Sequence, residues 1–349
     1  MRSFENQFKN LYDATDKFHI MGKDLDNLVP ITMDDIVPNV NLPGDVYFKL
    51  SDDNFVVIGR EGTREQFKEL HFFDKIRNSN IYIRKPDLRK FSSLKVHSAN
   101  EIMKSDKVPV EAKVNALSHT LNTVFTSIDQ LGFSNEALGN TKFIANSVLK
   151  IINDTPKLTS LMTLMNSISE DLIKHSMAVS MVSALISQSK GWNNPSILEK
   201  MALGALLHDI GLKEYPKEFL SKPRVDYTPE DLEYYQRHSF RGIEILRTVE
   251  NVPQEVMAIV YEHHENSIGQ GYPRGLRDVR LHPFSKVVSL ADTFCELTFK
   301  DAQKPTPRDP EEAVQFIEHT LGQPFNKECF TALKNILTFG IRKASIKIV

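Results

Sequence analysis

His208 and Asp209 stand side by side at the end of the apolar run Gly204-Ala-Leu-Leu, with Ile210-Gly211 after them. Adjacent helical residues point about 100° apart, so both reach one site only where a helix end aims at it. An isolated pair of this kind more often marks a capped helix end than a site. Here the pair has company. Asp171 and His175 lie four apart, one above the other on a helix face. His238 sits in Tyr234-Tyr-Gln-Arg-His-Ser, His263 and His264 are adjacent in Tyr261-Glu-His-His-Glu, and Asp292 closes a further apolar run. Of the chain's 11 histidines, five fall in these stretches. Imidazoles with a few carboxylates suit iron, manganese, zinc or cobalt better than magnesium or calcium. Five histidines and three aspartates are too many for one tetrahedral zinc. They suit two or three divalent metals, with an aspartate bridging.

Facing helices must position these groups, as in helical bundles that hold multinuclear sites. From Thr155 onward the apolar spacing predicts helix almost throughout. Leu158 to Ser189 carries Asp171 and His175, and Ser196 to His208 ends at the metal pair. Thr228 to Val249 carries His238 and opens on a capping threonine, a proline and two acids. Pro253 to Glu265 carries the double histidine, and 281–299 carries Asp292. Pro310 to Leu321 and Asn326 to Phe339 trail behind and close the bundle.

The N-terminal third reads differently. An amphipathic helix is expected over 4–18, then an irregular stretch punctuated by Pro30, Pro38 and Pro43. Asp45 to Leu50, Asn54 to Gly59 and Asn80 to Arg84 read as strands, with a helix over Thr63 to Ile76. This small α/β module, residues 1–105, has no phosphate loop or nucleophile set. It serves packing, homodimerisation or regulation of the C-terminal site. Residues 106–150 form a helical linker whose stripe from Val114 to Ile128 is core or dimer seam; Gly132 and Gly139 break its pattern. The fold class is mainly α, with an all-helical domain over 151–349. A net charge of −2 argues against DNA, RNA or an acidic membrane as partner. The two cysteines fit a reducing compartment, and no apolar run reaches the roughly 18 residues of a membrane span. The expected location is cytoplasmic.

His175, His208-Asp209-Ile-Gly, Lys222-Pro223, His238 with Gly242, His263-His264-Glu265, Gly271-Tyr272-Pro273-Arg274-Gly275-Leu276 and Ala291-Asp292 occur together, in this order. This set resembles the HD-domain phosphohydrolases, and within them the HD-GYP group of cyclic dinucleotide phosphodiesterases. The resemblance covers roughly residues 155 to 300. It implies a bi- or trinuclear centre, with iron or manganese expected, that hydrolyses cyclic di-GMP or a related cyclic dinucleotide in bacterial second-messenger signalling. Asp209 is then the bridging ligand. His175, His208 and Asp292 complete one metal, and His238, His263 and His264 serve the next. Asp171 holds the position of a third-metal carboxylate. Gly271, Tyr272 and Arg274 are expected to line the substrate pocket or to dock a signalling protein.

Two departures matter. The lysine usual after the His-Asp-Ile-Gly motif is Leu212 here, with Lys213 one place later, and the arginine usual nine after the last aspartate is Asp301. Charge-assisted phosphate contacts are worth roughly 1.5–3 kcal/mol each. Their loss leaves a second expectation open, a catalytically weak nucleotide receptor or docking scaffold. Lys213, Lys222, Lys300 or Arg274 would otherwise compensate.

Overall fold

The computed structural model describes residues 27–51, 54–64, 81–155, 157–300 and 306–339. Its contacts divide the chain into two compact units, Met1–Glu101 and Ile102–Val349.

In the first unit, β1 (Leu28–Ile31), β2 (Val46–Ser51), β3 (Asn54–Gly59) and β4 (Ile81–Arg84) form an antiparallel sheet in the order β1-β4-β2-β3. Three of these strands lie where the apolar patterning predicts them. β1 does not, because Pro30 reads as a breaker. It sits on the sheet edge, where a missing backbone N–H is tolerated. Val29, Ile31, Val46, Phe48, Ile81 and Ile83 are buried, giving the sheet an apolar core. α1 (Leu88–Lys104) has no counterpart in the sequence reading; its buried Leu88, Phe91, Ala99 and Met103 make only a thin stripe. The helix expected over 4–18 lies outside the described residues, as does almost all of that expected over Thr63 to Ile76.

The second unit is helical: α2 (Val110–Leu131), α3 (Asn135–Asp154), α4 (Leu158–Met165), α5 (Asp171–Ser189) and α6 (Pro195–Leu207). There follow α7 (Lys217–Ser221), α8 (Pro229–Gln236), α9 (His238–Leu246), α10 (Gln254–Glu262), α11 (Pro283–Thr298), α12 (Pro310–Gln315) and α13 (Lys327–Phe339). α5 is apolar nearly all round, buried from Ser176 to Ser187 without interruption, and α6 runs beside it as the other central helix. α2 and α3 pack on this pair within the same unit.

Two stretches expected as single helices are each broken. Leu158 to Ser189 parts at Asn166–Glu170, and Thr228 to Val249 parts at Arg237, whose N–H reaches back to the Tyr234 carbonyl and closes α8 before α9 begins. Gly132 ends α2 with φ +80°, whereas Gly139 lies inside α3 with open space beside it and breaks nothing. Thr228 and Asp231 form a reciprocal capping box at the start of α8.

Candidate metal centre

The residues that converge come largely from helix ends. α6 stops at Leu207, so His208 is its last cap, and Asp209 leaves helical geometry at φ −98°, ψ 14°. That turn lets two neighbours aim at one point. His238 opens α9, His263 and His264 follow α10, His175 lies one turn into α5, and Asp292 is on α11. Two glycines let these ends close up. A Cβ on Gly211 would lie 2.1 Å from the His238 carbonyl oxygen, and one on Gly242 would lie 2.6 Å from Val260 Cγ1. Only bare backbone fits between the His-Asp turn and α9.

His175 Nε2 is 2.9 Å from Asp292 Oδ1 and 3.2 Å from His208 Nε2. His208 Nε2 is 3.3 Å from Asp209 Oδ2. Across the carboxylate, Asp209 Oδ1 is 3.3 Å from His238 Nε2 and 3.5 Å from His263 Nε2, and those two nitrogens are 3.1 Å apart. His264 Nδ1 is 3.5 Å from Asp292 Oδ2. Ligand-type atoms therefore gather in two overlapping sets, His175-His208-Asp209 and Asp209-His238-His263-His264, each within 4.8 Å. Asp209 belongs to both.

Three of the rings are fixed by the same local device. His208, His238 and His263 turn Nδ1 to the carbonyl three residues earlier, at 2.7, 2.7 and 2.9 Å on Ala205, Tyr235 and Val260. With Nδ1–H donating there, Nε2 is left to face the cluster, as in metal-binding histidines oriented by a backbone acceptor. Buried polar atoms are normally satisfied. Asp209 Oδ1 and His264 Nε2 are buried without a hydrogen-bond partner, and each would gain a ligand bond from a divalent cation beside it. The donor set fits such ions.

Electrostatics agree. Burial opposes charge on His208, but Asp209, by charge and hydrogen bond, and Asp292 outweigh it and raise its pKa to about 9. Burial favours a neutral Asp209, yet His208, His238 and His263 hold its carboxyl well below the usual range. Burial lowers His263 and His264, leaving both uncharged near neutrality. Without cations, the His208 imidazolium offsets part of the charge on the buried Asp209 and Asp292.

The Gly271 loop is clamped from beneath. Both oxygens of the buried Glu265 accept backbone N–H groups, from Arg274 at 2.7 Å and Leu276 at 2.8 Å. Glu262 accepts from Arg274 Nη2 at 3.0 Å and from the His282 N–H at 2.9 Å. A Cβ on Gly271 would meet the His264 carbonyl oxygen at 2.3 Å, so only glycine lets the loop lie this close. The Tyr272 ring then rests 4.6 Å from that of His264 and 6.2 Å from that of His238.

Of the expected site residues, His175, His208, Asp209, His238, His263, His264 and Asp292 come together, with Gly271 and Tyr272 beside them. Three do not join them. Asp171 has 45% of its side chain exposed and pairs with Lys174 at 3.2 Å. Burial depresses Lys213, whose charged neighbours are Asp129, Lys217 and Glu170 rather than the cluster acids. Arg274 turns its guanidinium to Glu262 and the Tyr261 ring. Glu262, Glu265, Arg224, Tyr235 and Glu296 also adjoin these groups, with no role expected for them from the sequence. Glu262 and Glu265 flank the double histidine, and Glu296 follows Asp292 by one turn, which is the signal that finds them.

The sequence profile of the HD domain family matches residues 159–328. The helical unit carries an HD domain. Its motif order, with Gly271-Tyr272-Pro273, is similar to that of the HD-GYP subfamily. The chain is 31% identical over 180 residues to a protein from Thermotoga maritima named cyclic di-GMP phosphodiesterase, across 50% of this chain and 48% of that one. It is 32% identical over 130 residues to the 3'3'-cGAMP-specific phosphodiesterase 1 of Vibrio cholerae, across 37% of this chain and 30% of that one. It thus spans half or less of these relatives. A solved HDG"Y"P protein from Bdellovibrio bacteriovorus superposes with a TM-score of 0.62 at 19% identity, across 89% of this chain and 99% of that one. That likeness shows the fold. Within the HD domain, the metal-type residues all lie inside the matched range. Among the described residues, no helix is long and apolar enough to cross a membrane.

Proposed function

We propose that the chain is a metal-dependent phosphodiesterase that hydrolyses a cyclic dinucleotide, cyclic di-GMP or a close relative, in second-messenger signalling. The observation that carries this reading is Asp209, a buried carboxylate shared by two imidazole-rich sets, with one oxygen lacking a hydrogen-bond partner. The curated relatives named for cyclic di-GMP and 3'3'-cGAMP support the substrate class. His175, His208 and Asp292 would hold one divalent ion, His238, His263 and His264 the next, and Asp209 would serve both; iron or manganese suits this mixture. Two such ions supply Lewis-acid charge at the phosphate and a nucleophile from water near neutral pH. The protein's own part is orientation. The backbone carbonyls fix three imidazoles, the Glu265 clamp holds the loop, and burial keeps the Tyr272 hydroxyl protonated as a donor. Residues 1–105 would act as the regulatory part.

A weak receptor is the second reading. It is favoured by Leu212, which is buried against Tyr215 and Tyr235 where a phosphate-binding lysine would stand. Anaerobically purified protein, assayed for iron and manganese and then for turnover of cyclic di-GMP and 3'3'-cGAMP by product chromatography, separates the two. Linear or mononucleotide products confirm the enzyme. Metal-replete protein that binds nucleotide and leaves it intact supports the receptor.

A further inference from the structure

Building on the phosphodiesterase reading of the same site, we propose that Arg224 is the cation that grips a substrate phosphate beside the metal cluster. A cyclic dinucleotide brings two negative charges to a centre already lined by Asp209 and Asp292. Three of the four cations expected to meet it have other charged neighbours. Lys213 feels the charges of Asp129, Lys217 and Glu170, Lys222 reaches Asp231 at 2.5 Å, and Arg274 is on Glu262.

Arg224 stands differently. Its Nη1 is 2.6 Å from Glu296 Oε1, its Nη2 is 2.7 Å from the Tyr235 hydroxyl, and its Cζ lies 4.7 Å from the Tyr235 ring centroid. Both anchors adjoin the centre. Glu296 is one turn beyond Asp292 on α11. Tyr235 gives its carbonyl to His238 Nδ1, and its ring lies 5.0 Å from the His238 ring. The Asp209 charge acts on the guanidinium. Yet 42% of the Arg224 side chain is exposed, so the residue is anchored beside the centre without being sealed in the core. A planar guanidinium matches phosphate oxygens in two-pronged fashion, where an ammonium acts as a point charge. Arg224 thereby takes over the task left vacant at Leu212, from a different loop.

The test uses the metal-loaded full chain as wild type, Arg224→Gln and Arg224→Lys. Inorganic phosphate binding is measured by calorimetry, KM and kcat for cyclic di-GMP by chromatography, and metal content on every sample. Arg224→Gln is expected to weaken phosphate binding and raise KM by about tenfold or more, with metal content unchanged and Arg224→Lys between. Phosphate affinity within twofold of wild type in Arg224→Gln overturns the assignment, and so does a wild type that holds no phosphate. If Arg224→Gln loses metal or fails to fold, Arg224→Lys decides: severalfold weaker phosphate binding supports the fork, and unchanged binding overturns it. A wild type that binds phosphate through Arg224 but leaves cyclic di-GMP intact sinks the substrate reading and spares the assignment.

Discussion

Asp209 is the residue that the two imidazole-rich sets share. Changing it to asparagine removes the charge that both imidazole sets share. Asp209→Asn should therefore purify with less than one metal per chain, while His175→Ala loses about one and keeps the other. Elemental analysis reads this directly, and equal losses in both variants would refute the shared role. Protons compete for the same place. His208 has a pKa of about 9 in the metal-free protein, so loading displaces its proton. Apparent metal affinity should then climb about tenfold per pH unit between 7 and 9 and flatten above. The sign for folding is opposite. A pKa raised above the unfolded 6.5 stabilises the metal-free fold fully below that value and is lost as pH rises through about 9. Calorimetric loading in buffers of different ionisation enthalpy counts the protons, and a count of zero would overturn this account.

At the level of elements, the centre is an agreement among helix ends, and glycine sets its tolerance. Gly211→Ala places a methyl group 2.1 Å from the His238 carbonyl oxygen, far inside van der Waals contact. We expect a loss of about 3 kcal/mol, the upper end for overpacking, together with reduced metal content as α9 is pushed away. Denaturant melts with metal analysis test both. Glu265→Ala strands two backbone donors. The expected loss is about 2–3 kcal/mol, with faster amide exchange at Arg274 and Leu276 than elsewhere in the unit. The sequence revealed much at this scale. The helices that bear ligands could be read because α5 and α6 are long, nearly continuous apolar runs and α11 keeps an apolar face, and Thr228 announced α8 by its cap. The break at Arg237 could not be read, because the apolar pattern runs straight through it while a local turn interrupts the backbone. β1 was hidden by Pro30, whose edge position is a tertiary fact. Tyr235 and Glu296 were invisible as partners of Arg224, because a loop from 222–226 must fold back on two helices before they meet.

At the scale of the molecule, two compact units divide the chain at Glu101, inside the last turn of α1. The metal-type residues all belong to the second unit. Adding manganese at one hundred times its dissociation constant should stabilise that unit by about 2.7 kcal/mol through binding alone. Hydrogen exchange followed by mass spectrometry should show the protection confined to residues after 102, and protection spreading equally through β1 to β4 would show the units to be energetically one. The carbonyls behind His208, His238 and His263 carry a last implication. Each comes from the imidazole's own preceding turn, so the receiving faces are set by local folding before any ion arrives. Exchange of one transition ion for another of similar size should then require no repacking, and protein produced in iron-enriched or manganese-enriched medium should carry whichever ion was supplied, as elemental analysis would read.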